Sequence, residues 1–135
     1  KVWFLGGVET GEDRGKVLVI TRALYGLKSS GASWRATLAS TLVKVGFEAK
    51  QADPDVWRRP ARRDNGTEYY ELCLVYVDDI LLVSHDPKPS LLLIGATYEL
   101  KEGSLGAPET YLGAQVYQHY LRDGRKAWGM SSESM

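Results

Sequence analysis

The chain has a single cysteine and equal numbers of positive and negative residues. These two facts exclude a disulfide-stabilised protein and a generally basic or acidic one. The single Cys73 cannot form an internal disulfide, and its place in an apolar run predicts a small buried thiol. Because 17 Lys and Arg residues balance 17 Asp and Glu residues, any surface that attracts nucleic acid has to be local. No apolar run approaches the roughly 20 residues of a membrane span. His85 and His119 stand apart without metal-binding spacing.

The composition is that of an ordinary globular protein. Hydrophobic residues make up 44% and charged residues 25% of the sequence, and 135 residues suffice for one domain with a buried core. The chain opens on Lys1 without an initiator Met and stops abruptly at Met135. We therefore expect a single partial domain, residues 1–135, that belongs to a longer protein.

The most informative segment is a pair of aspartates between two apolar runs, residues 72–77 and 80–84, that read as buried strands. The break predicts a hairpin, although Asp-Asp is not a favoured type I′ turn pair. Adjacent carboxylates repel each other, and a bound cation with a preference for oxygen ligands, such as Mg²⁺, removes that cost. The pattern thus favours a metal site at Asp78 and Asp79, while a solvated turn remains the alternative.

Hydrophobic periodicity and turn residues predict the remaining elements. A strand at 16–21 comes first, followed by a helix that is capped by Ser29 or Ser30, ends at Gly46 and has Trp34, Leu38, Leu42 and Val45 on its apolar face. A strand at 56–57, opened by Asp53-Pro54-Asp55, a turn at Asp64-Asn65-Gly66 and a strand at 69–77 follow. The last elements are a helix from Asp86 and Pro87 to about Lys101 and strands at 111–117 and 126–130. This order predicts an α+β fold in which two helices cover one face of a largely antiparallel sheet.

Four arginines, Arg58, Arg59, Arg62 and Arg63, surround Pro60 and are predicted to lie on a hairpin. Such a group can contact template phosphates, because each neutralised phosphate releases a counterion. A solvated loop that balances nearby acids is the favoured alternative.

Three segments, in this order, resemble the reverse transcriptase domain of copia-type (Pseudoviridae) LTR retrotransposons. They are Arg22-Ala23-Leu24-Tyr25-Gly26-Leu27-Lys28, Tyr76-Val77-Asp78-Asp79 between its strands, and Tyr111-Leu112-Gly113. The resemblance covers nearly all of the chain and is strongest from Arg22 to Val116. It implies an antiparallel palm fragment with part of the fingers. The family's upstream catalytic-Asp strand, thumb and RNase H fall outside this sequence.

The resemblance also implies an activity, RNA-directed DNA polymerisation, in which a primer 3′-hydroxyl attacks the α-phosphate of a dNTP with two Mg²⁺ ions, or Mn²⁺, as cofactors. By the resemblance, Asp78 and Asp79 are the catalytic metal ligands, and Asp78 is the principal one. The residues implied around nucleotide and template are Tyr25, Gly26, Lys28, Tyr76 and Val77. The implied primer grip is Tyr111, Leu112 and Gly113. A solvated Lys28, and an edge strand with a Gly bulge at Gly113, are the alternatives.

The implied partners are an RNA or DNA template-primer, a dNTP and the remainder of the Pol polyprotein, with no membrane. The implied location is the host cytoplasm, in a virus-like particle encoded by the host genome. Because the family's third carboxylate lies on a strand before Lys1, we expect the isolated chain to be inactive. A non-enzymatic α+β module that binds nucleic acid or protein, and a decayed transposon remnant, are the alternatives.

Overall fold

The computed structural model of the chain describes residues 28–98 and 103–131. The chain divides into two compact units, Lys1–Gly46 and Phe47–Met135, and each is considered by itself. The predicted strand at 16–21 and the predicted nucleotide-binding pair Tyr25-Gly26 lie outside the described residues.

The first unit contains helix α1, Lys28–Lys44. Its predicted apolar face is confirmed, since Leu38 and Leu42 are buried. The predicted cap is wrong, because the helix includes both Ser29 and Ser30.

Gly46 ends this first helix, as the sequence predicts. Its φ of +95° is a left-handed conformation that suits glycine, and its N–H donates to the Val43 carbonyl at 3.0 Å.

The second unit contains seven strands and one helix, and every strand pair in it is antiparallel. The elements are β1 (Glu48–Ala49), β2 (Val56–Arg62), β3 (Glu68–Tyr76), β4 (Asp79–Val83), α2 (Lys88–Gly95), β5 (Thr110–Tyr111), β6 (Ala114–Tyr120) and β7 (Lys126–Ser131). The predicted α+β class is confirmed. The strands form two sheets rather than one, in the orders β1-β2-β3-β4 and β5-β6-β7.

Strand β2 is longer than the sequence predicts, because the arginine-rich segment continues it instead of forming a loop. Pro60 lies inside the strand, opposite Tyr70 of β3. On the other side, β1 pairs only with Trp57 and Arg58, so β2 is an edge strand from there on and tolerates a residue without an N–H. The predicted turn follows, with Gly66 at φ +85° and its N–H bonded to the Arg63 carbonyl at 2.8 Å.

Helix α2 ends at Gly95, six residues before the predicted end at Lys101. Glycine is a poor helix former, and after it the backbone tightens: the Tyr98 N–H donates to the Gly95 carbonyl at 3.0 Å. Asp86 does not cap the helix. Its own N–H donates to the Ser84 hydroxyl at 3.2 Å, and Pro87 is the N-cap residue.

A buried ion pair joins α2 to the four-stranded sheet. The Glu71 carboxylate, of which 4% is exposed, accepts from the Arg59 Nε at 2.9 Å and from the Ser90 Oγ at 3.1 Å. Its other oxygen also accepts from the Ser84 Oγ at 2.7 Å, and Arg59 donates to Ser90 as well. The Arg59 guanidinium stacks 4.8 Å above the ring of Phe47. This network fixes β2, β3 and α2 against one another.

Candidate active site

The two aspartates lie at the tip of a hairpin formed by β3 and β4. The register pairs Val75 with Ile80 and Tyr76 with Asp79, so the turn residues are Val77 and Asp78. The predicted connection, Asp78-Asp79, is therefore displaced by one residue, because pairing Val75 with Ile80 keeps the two apolar runs in register. Asp79 is the first residue of β4, and both carboxylates are exposed.

Val77 carries backbone strain at this tip. Its φ of +53° is left-handed, a region that β-branched residues rarely enter, and its side chain is 69% exposed. Strain of this kind costs on the order of 1–3 kcal/mol and clusters at functional sites.

The strand alternation decides which way Asp79 faces. Cys73, paired with Leu82, lies on the sheet face shared with Glu71 and α2. Asp79 and its partner Tyr76 lie on the opposite face. Burial, and then the nearby Glu71 charge, raise the pKa of the Cys73 thiol to about 12, so the thiol on the covered face is protonated and inert.

A third carboxylate, Asp55, lies at the same end of the sheet. The Val75 N–H donates to the Asp55 carbonyl at 2.9 Å, and the Asp53 side chain accepts from the Asp55 N–H at 2.9 Å. From the sequence, Asp55 is expected only to open a strand. Its place could have been inferred, because a residue that opens β2 lies near the end of its antiparallel neighbour β3.

The predicted primer-grip segment forms a second hairpin. Tyr111 pairs with Ala114, and the two turn residues, Leu112 and Gly113, have φ of +51° and +79°. Two left-handed residues in a row define a type I′ turn, whose twist suits antiparallel strands. The predicted continuous strand at 111–117 is therefore wrong, and so is the alternative of a bulge in an edge strand, because the chain reverses at Leu112-Gly113.

The electrostatic surroundings of Tyr111 relate the second hairpin to the first. The pKa of the Tyr111 phenol is raised, first by burial and then by the negative charge of Asp79. Repulsion between like charges falls with distance, so the Asp79 carboxylate lies within electrostatic range of the Tyr111 phenol. Asp55 and Asp78 lie at the same end of the four-stranded sheet as Asp79.

The donors at this end are carboxylate oxygens, the ligand type that Mg²⁺ and Mn²⁺ prefer. Across residues 28–98 and 103–131, however, no group of three or more His, Cys, Asp or Glu side chains is placed to hold a metal ion. Asp78 and Asp79 are two such donors, adjacent in sequence at one hairpin tip.

Lys28, a further predicted site residue, is the first residue of α1 and belongs to the first unit. The four arginines are divided: Arg59 is paired with Glu71, whereas Arg58 and Arg62 lie on the opposite face, near Glu48 at 4.0 Å and Glu68 at 2.6 Å respectively. No helix in the described part of the chain is long and apolar enough to cross a membrane.

Comparisons with known proteins agree with this geometry. The protein-family model described as "Reverse transcriptase (RNA-dependent DNA polymerase)" matches residues 4–122. A curated relative, the retrovirus-related Pol polyprotein from transposon RE1 of Arabidopsis thaliana, is 35% identical over 71 residues. That match covers 53% of this chain and 4% of the relative, so the chain spans only a small part of its length. No solved structure matches the chain.

Proposed function

Since this chain belongs to the reverse transcriptase (RNA-dependent DNA polymerase) family, we propose that it forms part of a polymerase palm in which Asp78 and Asp79 hold a divalent cation. One observation carries the proposal: two exposed carboxylates occupy the strained tip of a hairpin. Because strain at Val77 opposes folding, its presence at this tip supports a functional role.

The two aspartates are held differently. Asp79 is fixed by its strand pairing with Tyr76, while Asp78 projects from the turn. When bound there, Mg²⁺ or Mn²⁺ would activate a primer 3′-hydroxyl and neutralise charge on the α-phosphate of a dNTP. Because strand pairing holds the Asp79 backbone, that residue would need little backbone reorganisation to bind a cation.

The second hairpin supplies the primer side in this proposal. At its turn Gly113 follows the exposed Leu112, and the missing side chain of glycine allows a nucleic acid strand to approach the backbone closely. Tyr111 would orient the primer end toward Asp79. Tyr25 and Gly26 would contact the nucleotide and template, together with Tyr76 and Val77.

The third carboxylate of the family would complete the site from one further strand. In the described residues β4 is the outermost strand of its sheet, next only to β3. A strand added along β4 would place its side chains against Asp79. We propose that the remainder of the Pol polyprotein supplies this strand, the thumb and the RNase H region, and that an RNA or DNA template-primer and dNTP are the ligands.

Iron-mediated backbone cleavage tests the metal role, because Fe²⁺ at a Mg²⁺ site generates radicals that cut nearby backbone. We expect cuts near residues 77–79 and 111–113 of the intact chain. Asp78→Asn combined with Asp79→Asn should abolish both, and excess Mg²⁺ should suppress them.

The control is Asp64→Asn, an exposed aspartate in the β2–β3 turn, which should leave the cuts unchanged. Cleavage that ignores the Asp78 and Asp79 substitutions would reject the metal site. That outcome would favour the non-enzymatic binding module.

A further inference from the structure

One face of the three-stranded sheet carries large side chains that remain exposed. Lys126, Trp128 and Met130 alternate along β7 and so share a face, and Tyr120 shares it because the register places Tyr120 opposite Lys126. Tyr120 is 62% exposed, Trp128 57% and Met130 51%. These four residues are called the aromatic face below. Large exposed apolar groups clustered on one surface mark an interaction site.

The aromatic face is continuous with the candidate active site. Tyr111 lies opposite Ala114, and Ala114 and Tyr120 lie on the same face of β6 because they are six positions apart. β6 is seven residues long, roughly 20 Å. One surface therefore runs from Tyr111, whose pKa responds to the Asp79 charge, to Tyr120 at the far end of the sheet.

Charge at the far end is positive, although the whole chain is neutral. Residues 114–131 contain three basic residues, Arg122, Arg125 and Lys126, and one acidic residue, Asp123, which gives a net charge of +2. The Lys126 amine lies 5.7 Å above the Tyr120 ring, and the two arginines belong to the turn between β6 and β7. Cations beside exposed aromatic rings are the combination that binds unpaired nucleic acid.

We propose that the aromatic face binds a single strand of nucleic acid, with bases stacked on Tyr120 and Trp128 and phosphates near Lys126 and Arg122; Arg125 is paired with Asp123 at 2.7 Å. This inference rests on the proposed function and extends it, by assigning a site for unpaired nucleotides about 20 Å along β6 from the Tyr111 hairpin. A protein partner is disfavoured, because the buried centres of protein interfaces are depleted in charge, whereas a polyanion gains from each cation.

Fluorescence anisotropy with a short labelled oligothymidylate tests the proposal on the full chain, at low salt and with divalent ions chelated. Tyr120→Leu should weaken binding about tenfold, as expected for the loss of one stacked base. Tyr70→Leu is the matched control, since Tyr70 is 57% exposed and has Arg58 5.0 Å above its ring, but lies in the other sheet. It should change binding less than twofold.

An abasic oligonucleotide of equal length separates stacking from charge. Tyr120→Leu should leave the affinity for the abasic oligonucleotide unchanged. Lys126→Gln should weaken the binding of both oligonucleotides and lower the salt dependence by about one counterion. Equal losses for Tyr120→Leu and Tyr70→Leu, or no binding at all, would overturn the proposal. So would self-association of the chain that Tyr120→Leu abolishes, since the face would then bind protein.

Failure of the proposed function is distinguishable from failure of this inference. Asp78→Asn should leave oligothymidylate binding unchanged in the chelator while it abolishes iron-mediated cleavage. Binding without cleavage would reject the metal site and retain the aromatic face, and cleavage without binding would do the reverse.

Discussion

Glu68 and Glu71 lie on the same strand, and each pairs with an arginine directly opposite on β2, but their surroundings differ. The Glu71 side chain is 4% exposed, whereas that of Glu68 is 75% exposed, and the distances to their arginines are 2.5 and 2.6 Å. The two ion pairs therefore have similar lengths but are expected to contribute unequally to the free energy of unfolding. A charge left alone in the interior is costly, and an exposed pair is screened by solvent.

The two carboxylates provide the first prediction. Glu71→Gln leaves the Arg59 charge without its counterion beneath α2, so the free energy of unfolding should fall by about 3 kcal/mol or more. Glu68→Gln removes only an exposed pair with Arg62 and should cost at most about 1 kcal/mol. Urea denaturation measures both. Equal costs would contradict the buried network.

Val77 provides the second prediction at the residue scale. Asparagine tolerates a left-handed φ far better than valine, so Val77→Asn should stabilise the protein by about 1 kcal/mol. The same change at Val83, which is 50% exposed in β4, should destabilise it, because valine suits an extended strand. If both changes lower the urea midpoint, Val77 is not strained. A stabilised protein that has lost cation binding would show that the strain serves function.

At the scale of elements, the sequence predicts those whose signals are local. The helix face with Leu38 and Leu42 and the turn at Gly66 follow from side-chain periodicity and turn chemistry alone. The predictions that fail concern features set by tertiary contacts. The predicted strand at 56–57 is too short, because the burial of Arg59 against Glu71 cannot be inferred from the sequence of β2 alone. Likewise, Asp55 reaches the Asp78 tip only through the pairing of β2 with β3.

The second hairpin provides a prediction for glycine. Gly113 has φ +79°, so Gly113→Ala should destabilise the protein by about 1 kcal/mol although a Cβ there meets no atom within 4 Å. Gly31 lies inside α1, where a Cβ also meets nothing within 4 Å. Gly31→Ala should therefore stabilise the protein by about 1 kcal/mol. Thermal unfolding of the two variants gives the signs, and a stabilising Gly113→Ala would contradict the type I′ turn.

For the whole molecule, the described residues offer a cation two adjacent carboxylates from one side. Mg²⁺ requires near-octahedral geometry and gives up water reluctantly, so we expect these two carboxylates alone to bind it weakly. Asp55 lies at the same end, yet no third metal-ligating side chain joins Asp78 and Asp79 in the parts of the chain that the structure covers.

We therefore expect residues 1–135 alone to show no primer extension on an RNA template with dNTPs and Mg²⁺. Adding the family's upstream aspartate strand along β4 should restore cation binding, and Asp78→Asn should abolish it again. A denaturation curve for each protein controls for folding. Template-dependent extension by residues 1–135 alone would show that the chain completes its own site.

Cys73 makes the opening of this hairpin measurable. It is the chain's one thiol, it is fully buried, and it pairs with Trp57 of β2 and Leu82 of β4. With its pKa raised to about 12, the thiol reacts with an alkylating reagent only after these strands separate. The labelling rate at neutral pH thus reports how often the four-stranded sheet opens, whatever the three-stranded sheet does. A labelling rate above that of global unfolding would mean that the Asp78 hairpin opens independently of the rest of the protein. A bound cation should then lower the labelling rate.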